Sequence, residues 1–236
     1  MSYDLVSFDL DGTLVDTAAE IAEAANAALE LHGIARRPVE EITLMIGAGT
    51  RQLMLGLLAR CCLEDACLAG RVDADHLIAA MEVRYGHTAG RSAKPYAGCH
   101  ETLSALRSTG VRLACVTIKE MRHARRVLEA PRLDGWFDLV IGGDSLAEKK
   151  PHATVLRQVA RTLGVPIERM AHVGDSAIDV AAARNAGVAA WAVPYGYNAG
   201  VAVAESRPDR LFDNLLQVAA HVLDARAGSS IPGLHA

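Results

Sequence analysis

Beyond residue 95 the chain alternates short apolar runs with longer helical patterns, and this alternation constrains the fold more than any other sequence feature. The stretches 112–116, 139–142, 171–174 and 189–193, with 5–9 near the start, are brief, apolar and mostly followed by turn residues, so they read as strands. Between them, 99–109, 120–129, 152–163 and 177–185 carry helical spacing, and a last strand–helix pair follows at 210–212 and 214–224. Such alternation predicts parallel strands with crossover helices on both faces: an α/β fold with a doubly wound parallel sheet. Gly33 and Gly187 each sit just past a periodic helix, where a left-handed residue stops it.

Residues 17–91 break the alternation. The stretches 17–32, 39–46, 50–61 and 73–89 all read as helix, and no strand-like run separates them. The simplest account is an α-helical cap domain, 17–91, inserted into a core made of 1–16 and 92–236, with Pro95 and Gly98 marking the return. The tail from Ala227 is small, polar and interrupted by Pro and Gly, and is expected to fray.

Composition then removes whole classes of function. Of 236 residues, 51% are hydrophobic, enough for a sizeable core. The net charge of −4 and the 4% of aromatics argue against a phosphate-backbone footprint or base stacking, so no nucleic-acid partner is expected. No apolar run approaches the roughly 18 residues of a membrane span, and the early acids of the N-terminus do not read as a signal peptide. Five cysteines without a CxxC read as reduced, core-filling thiols, so a cytoplasmic protein is expected, monomeric or homodimeric.

Four short segments carry chemistry. The first strand runs into Asp9-Leu10-Asp11-Gly12-Thr13, where the two-residue period of a strand places Asp9 and Asp11 on one side. Adjacent carboxylates repel, and a hard cation such as Mg²⁺ relieves that. Gly12 permits a sharp turn with backbone N–H groups turned towards a phosphate. The second strand of the core ends in Val116-Thr117-Ile118-Lys119, whose hydroxyl and amides can bind phosphate oxygens. Lys150-Pro151 opens a helix and places a cation before it. Val173-Gly174-Asp175 ends a further strand, with Asp179 in the first turn of the next helix. All four fall at carboxyl ends of parallel strands, where open α/β sheets bind ligands. Several carboxylates beside a phosphate need both a metal and a lysine.

These motifs, in this order, resemble the haloacid dehalogenase superfamily of phosphohydrolases: DxDGT, then Ser or Thr, then Lys, then GDxxxD. The likeness spans nearly the whole chain and includes a helical cap after the first motif. Residues 9–26, Ile46-Gly47-Ala48-Gly49, Tyr195-Gly196-Tyr197-Asn198 and Pro208-Asp209 are most similar to the subgroup that hydrolyses 2-phosphoglycolate. That subgroup commonly has Asn where this chain has Ile118. The resemblance implies that Asp9 attacks phosphorus to form an aspartyl phosphate, and that Asp11 protonates the leaving oxygen and then activates water. It implies that Thr117 and Lys150 hold the phosphoryl group, that Asp9, the backbone carbonyl of Asp11 and Asp175 bind Mg²⁺, and that Asp179 supports Lys150 or a metal-bound water.

The expected activity is Mg²⁺-dependent hydrolysis of a small phosphorylated metabolite, with 2-phosphoglycolate favoured. Other small phosphate esters, pyrophosphate, or a sugar-phosphate mutase reaction share the chemistry. A dehalogenase has no need of Asp11, and a phosphonate hydrolase would want a cap lysine, which residues 17–90 lack. For the carboxylate of phosphoglycolate, Arg51 after the Gly47–Gly49 loop is the candidate, because a guanidinium fork suits a carboxylate. The nine histidines show no metal-binding spacing and read as surface or core filler.

Overall fold

A computed structural model describes residues 2–229. Six strands form one parallel sheet: β1 (Leu5–Phe8), β4 (Arg112–Val116), β5 (Leu139–Ile141), β6 (Met170–Gly174), β7 (Ala189–Ala192) and β8 (Arg210–Leu211). They lie in the order β5-β4-β1-β6-β7-β8. The chain builds outward from β1 through β4 to β5, then crosses back to add β6, β7 and β8 on the other side. The reversal leaves a crevice at the carboxyl end of β1, between β4 and β6.

Strand period two sorts the core into two layers. Val6, Phe8, Leu113, Cys115, Ala171, Val173 and Trp191 face one side, packed under α5 (Cys99–Ser108), α6 (Met121–Glu129) and α9 (Leu215–Ser229). Leu5, Ala114, Val116, Met170, Ala190 and Ala192 face the other, under α7 (Ala153–Leu163) and α8 (Ala177–Ala186). Burial on both faces is why these strands read as continuous apolar runs rather than as polar–apolar alternation.

Between β1 and α5 lie four helices: α1 (Ala18–Leu31), α2 (Val39–Thr43), α3 (Thr50–Glu64) and α4 (Ala74–Thr88). Helix α1 buries Ala22, Ala25 and Ala28 and packs against α4. Helix α8 ends as expected. Gly187 has φ +81°, its N–H reaches Arg184 O, and the N–H of Val188 reaches Ala183 O, a Schellman stop. Gly33, at φ +71°, ends α1 in the same way.

Several details differ from the sequence expectation. Two-residue strands β2 (Val15–Asp16) and β3 (Lys94–Pro95) pair antiparallel where the insert leaves and rejoins the core. Two residues are too few to register as a pattern. Helix α2 stops at Thr43, giving way to turns through residue 47, and a 3₁₀ turn (Ala66–Gly70) follows α3. Helix α7 starts at Ala153, after Pro151, because His152 caps it through its side chain. Helix α9 continues through Ser229, so the expected fraying at 227–229 is not found, and the rest of that tail lies outside the described residues. No helix among the described residues is long and apolar enough to cross a membrane.

Candidate active site

The carboxyl end of β1 delivers the first two carboxylates. The Asp9 N–H continues the sheet by donating to Val173 O at 2.9 Å, and the residue is 8% exposed. Leu10 turns into the core, fully buried, which leaves Asp9 and Asp11 facing the crevice. Asp11 Oδ1 accepts from Thr17 Oγ1 at 2.6 Å and lies 3.1 Å from Lys119 Nζ. Gly12 adopts φ +87°, and a Cβ there would fall 2.9 Å from Asp175 Cγ and 3.0 Å from the Tyr197 nitrogen, so no larger residue fits.

Asp175, at the end of β6, is held from two directions. Thr13 Oγ1 donates to its Oδ1 at 2.9 Å, and the Tyr197 N–H donates to its Oδ2 at 2.5 Å. Thr117 follows β4 with its N–H on Ile141 O, and its Oγ1 accepts the Lys119 N–H at 3.1 Å. Lys150, only 4% exposed, donates to Asp9 Oδ1 and to Asp179 Oδ1, each at 2.6 Å. Asp179 also completes a capping box with Ser176 at the start of α8. Thus Asp9, Asp11, Thr117, Lys150, Asp175 and Asp179 all line one pocket.

The electrostatics of this cluster are dominated by burial. Burial pushes the Asp9 carboxyl up to about 7 against the pull of Lys150, with Asp179 adding to the rise. Burial likewise holds Asp175 well above the usual carboxylate range, helped by Asp9 and Asp179. Burial would raise Asp179 too, but Lys150 and His172 overcome it and hold this carboxyl well below its ordinary value. For Lys150, burial lowers and the two aspartates raise, and the aspartates win. One ammonium therefore cannot satisfy three buried carboxylates, and Asp179 takes the larger share. Ligand atoms of Asp9, Asp175 and Asp179 lie within 4.8 Å of one another, and this all-carboxylate donor set suits a hard divalent cation. Asp11 Oδ1 is engaged by Thr17 and Lys119, and the Asp11 carboxylate is not one of the three that converge.

Arg51 is not brought to this pocket. Its side chain is exposed and pairs with Asp75 at 2.9 Å, outside the pocket. On α3, Thr50 and Leu53 face the pocket, and the roughly 100° step of a helix turns Arg51 and Gln52 between them to solvent. Ile118, in place of the common Asn, meets the cap loop instead: a Cβ on Gly49 would come within 3.2 Å of Ile118 Cγ2.

Three features escape the sequence reading. Lys119 points into the pocket, although its place two residues past Thr117 at a strand end was a usable signal. Tyr85 and Glu20, from the cap, close a network: Tyr85 OH donates to Glu20 Oε1 at 2.9 Å, and Glu20 also accepts the Gly90 and Ser92 N–H groups. His172 is fully buried beneath the site, with Nδ1 2.8 Å from Ser7 Oγ and Nε2 3.3 Å from Asp179 Oδ1. Burial lowers its pKa, and a neutral ring with its proton on Nε2 donates to Asp179 and accepts from Ser7. The period of β6 places His172 on the α7–α8 side, but its partner Ser7 lies 165 residues away in sequence.

Fold and site together define a class. A family model for haloacid dehalogenase-like hydrolases matches residues 3–187, and the chain belongs to that family. It is similar to proteins named phosphoglycolate phosphatase. The plasmid-encoded one of Cupriavidus necator is 40% identical over 221 residues, covering 94% of each chain. That of Nitrosospira multiformis is 40% identical over 215 residues, covering 90% of this chain and 92% of the relative. Among solved structures, a predicted phosphoglycolate phosphatase from Haemophilus somnus superposes with a TM-score of 0.87 at 30% identity, covering 94% of this chain and 98% of the other.

Proposed function

We propose that the protein hydrolyses 2-phosphoglycolate to glycolate and inorganic phosphate through an aspartyl phosphate on Asp9. The observation that carries this reading is the pairing of two carboxylates with different surroundings: Asp9 against Lys150, and Asp11 against Thr17 and Lys119. Lys150 and the Thr117 hydroxyl hold the phosphoryl oxygens in line with Asp9. A carboxylate oxygen of Asp9 forms the bond to phosphorus as the ester P–O bond breaks, and Asp11 gives its proton to the departing ester oxygen. Asp11 then takes a proton from the water whose oxygen attacks phosphorus, which frees Asp9 and phosphate. Asp179, held by His172 and Ser176, fixes Lys150. Asp9, Asp175 and the backbone carbonyl of Asp11 would hold Mg²⁺, which when bound supplies charge neutralisation for the phosphoryl group. The resemblance to named phosphoglycolate phosphatases supports the substrate.

The test is phosphate release from a panel of small esters with Mg²⁺ and after chelation. The expected result is highest kcat/KM for 2-phosphoglycolate, loss of activity on chelation and recovery on adding Mg²⁺. Faster turnover of a sugar phosphate or pyrophosphate overturns the substrate, and full activity in a verified metal-free sample overturns the metal.

A further inference from the structure

With Arg51 turned to solvent, none of the arginines in the insert lines the pocket, and among the described residues its only cations are Lys119 and Lys150. Lys150 pairs with Asp9 and Asp179 and, in the reading above, serves the phosphoryl group rather than the rest of the substrate. Lys119 is in a different position. Its side chain is 6% exposed, and its Nζ lies 3.1 Å from Asp11 Oδ1, 2.6 Å from Tyr85 OH and 4.5 Å from the Tyr85 ring centroid. The Tyr85 hydroxyl spends its proton on Glu20, so towards Lys119 it can only accept. One ammonium hydrogen is directed to Tyr85 OH, the charge is paired with Asp11, and no further hydrogen-bond acceptor of Nζ is found among the described residues.

We propose that Lys119 is the specificity residue of this site, binding a carboxylate carried by the leaving group close to the ester oxygen. This rests on the phosphoglycolate reading above and says how that substrate is chosen. Asp11 is the side chain that meets the ester oxygen, and Lys119 lies one contact beyond it. In 2-phosphoglycolate the carboxylate carbon is two bonds from that oxygen, so the anion falls beside the ammonium. The pocket wall around it includes Ile21, Leu53 and Met81. An apolar wall strengthens a charge pair relative to one in water. Tyr85 reaches Lys119 from α4 of the insert, so the cap aims a cation that the core supplies. A site built around a charge rejects an isostere that lacks the matching group.

The experiment compares kcat/KM for 2-phosphoglycolate with that for its neutral amide, in the wild type, Lys119→Met, Lys119→Arg and Tyr85→Phe. The ratio separates recognition from any effect on Asp11, because a merely structural role lowers both substrates together. The wild type should favour the carboxylate by about 10-fold or more, the scale of one charged hydrogen bond. Lys119→Met should bring the ratio close to one, while Lys119→Arg, which keeps the charge, should retain most of it. Tyr85→Phe, which loses the oxygen that aims Lys119, should lower the ratio by about 5-fold and serves where Lys119→Met does not fold. A wild-type ratio retained in Lys119→Met, or in Tyr85→Phe where that variant must serve, overturns the assignment and leaves the substrate reading standing. A wild type indifferent to the carboxylate overturns both.

Discussion

Lys150→Met isolates the charge arrangement at the centre of the site. Methionine keeps an unbranched stem of similar reach and removes only the ammonium. In the native protein that ammonium sits 2.6 Å from both Asp9 and Asp179, all three residues being under 9% exposed. Removing one partner of a buried ion pair costs about 3–5 kcal/mol, a large fraction of a typical total of about 5–15. The cost depends on pH, and the sign follows from which state binds protons. In the wild type Asp179 is held below its ordinary value, so it contributes stability above that value and loses it in acid. Asp9, raised to about 7 from an ordinary 3.8, does the reverse: it subtracts stability progressively between those values and no further above them. Without Lys150 both carboxyls shift upward, and the folded state holds protons that the unfolded chain releases. Each such proton makes stability fall by about 1.4 kcal/mol per pH unit. The deficit of the variant should therefore be larger at about pH 8 than at about pH 5, by roughly 1–3 kcal/mol. Urea denaturation of both proteins in chelator at the two pH values measures it. A deficit equal at both, or below about 1 kcal/mol, would refute the picture of two buried carboxylates depending on one lysine.

Asp9→Asn should remove turnover while circular dichroism stays native, and any substantial phosphate release would place the nucleophile elsewhere. Asp11→Asn should lower kcat by about 10²–10⁴-fold on alkyl phosphates and by less on aryl phosphates, whose leaving groups need no proton. An equal loss on both would assign Asp11 to metal geometry instead. Gly12→Ala, at φ +87° and with its methyl driven against Asp175, should cost about 1–3 kcal/mol in thermal stability and most of the activity. A melting temperature and rate like those of the wild type would contradict the close packing there.

The parts of the fold and site that are legible in the sequence are those encoded by local pattern. Strands buried on both faces are apolar runs, and helix stops are glycines, so the sheet and the Gly33 and Gly187 caps can be read directly. The pocket carboxylates are legible because Asp9 and Asp175 directly follow strands, while Asp11 and Asp179 come two and four residues after them. What is illegible depends on distant pairing or on helical phase. Ser7 and His172 sit on neighbouring strands far apart in sequence, and neither alone signals a polar link in the core. Arg51 has the right charge at the right loop, yet a single helical step takes it outside, whereas Lys119, inside, is recognisable only once Tyr85 is brought beside it.

The ribbon of β2 and β3 has a consequence for how such a chain can diversify. Val15 pairs with Pro95 and Asp16 with Lys94, so the core meets the insert at two neighbouring points that hydrogen-bond to each other. The span to be bridged is thus the same whatever lies between them. Exchanging the insert for one twice as long changes the closure entropy by only about 0.6 kcal/mol. The core is in this sense a chassis, with Asp9, Thr117, Lys150 and Asp175 all outside the exchangeable segment. What an exchanged segment does not carry over is the Tyr85 hydroxyl above Lys119 and the Glu20 clamp on Gly90 and Ser92, so a graft would inherit the reaction and have to rebuild the selectivity.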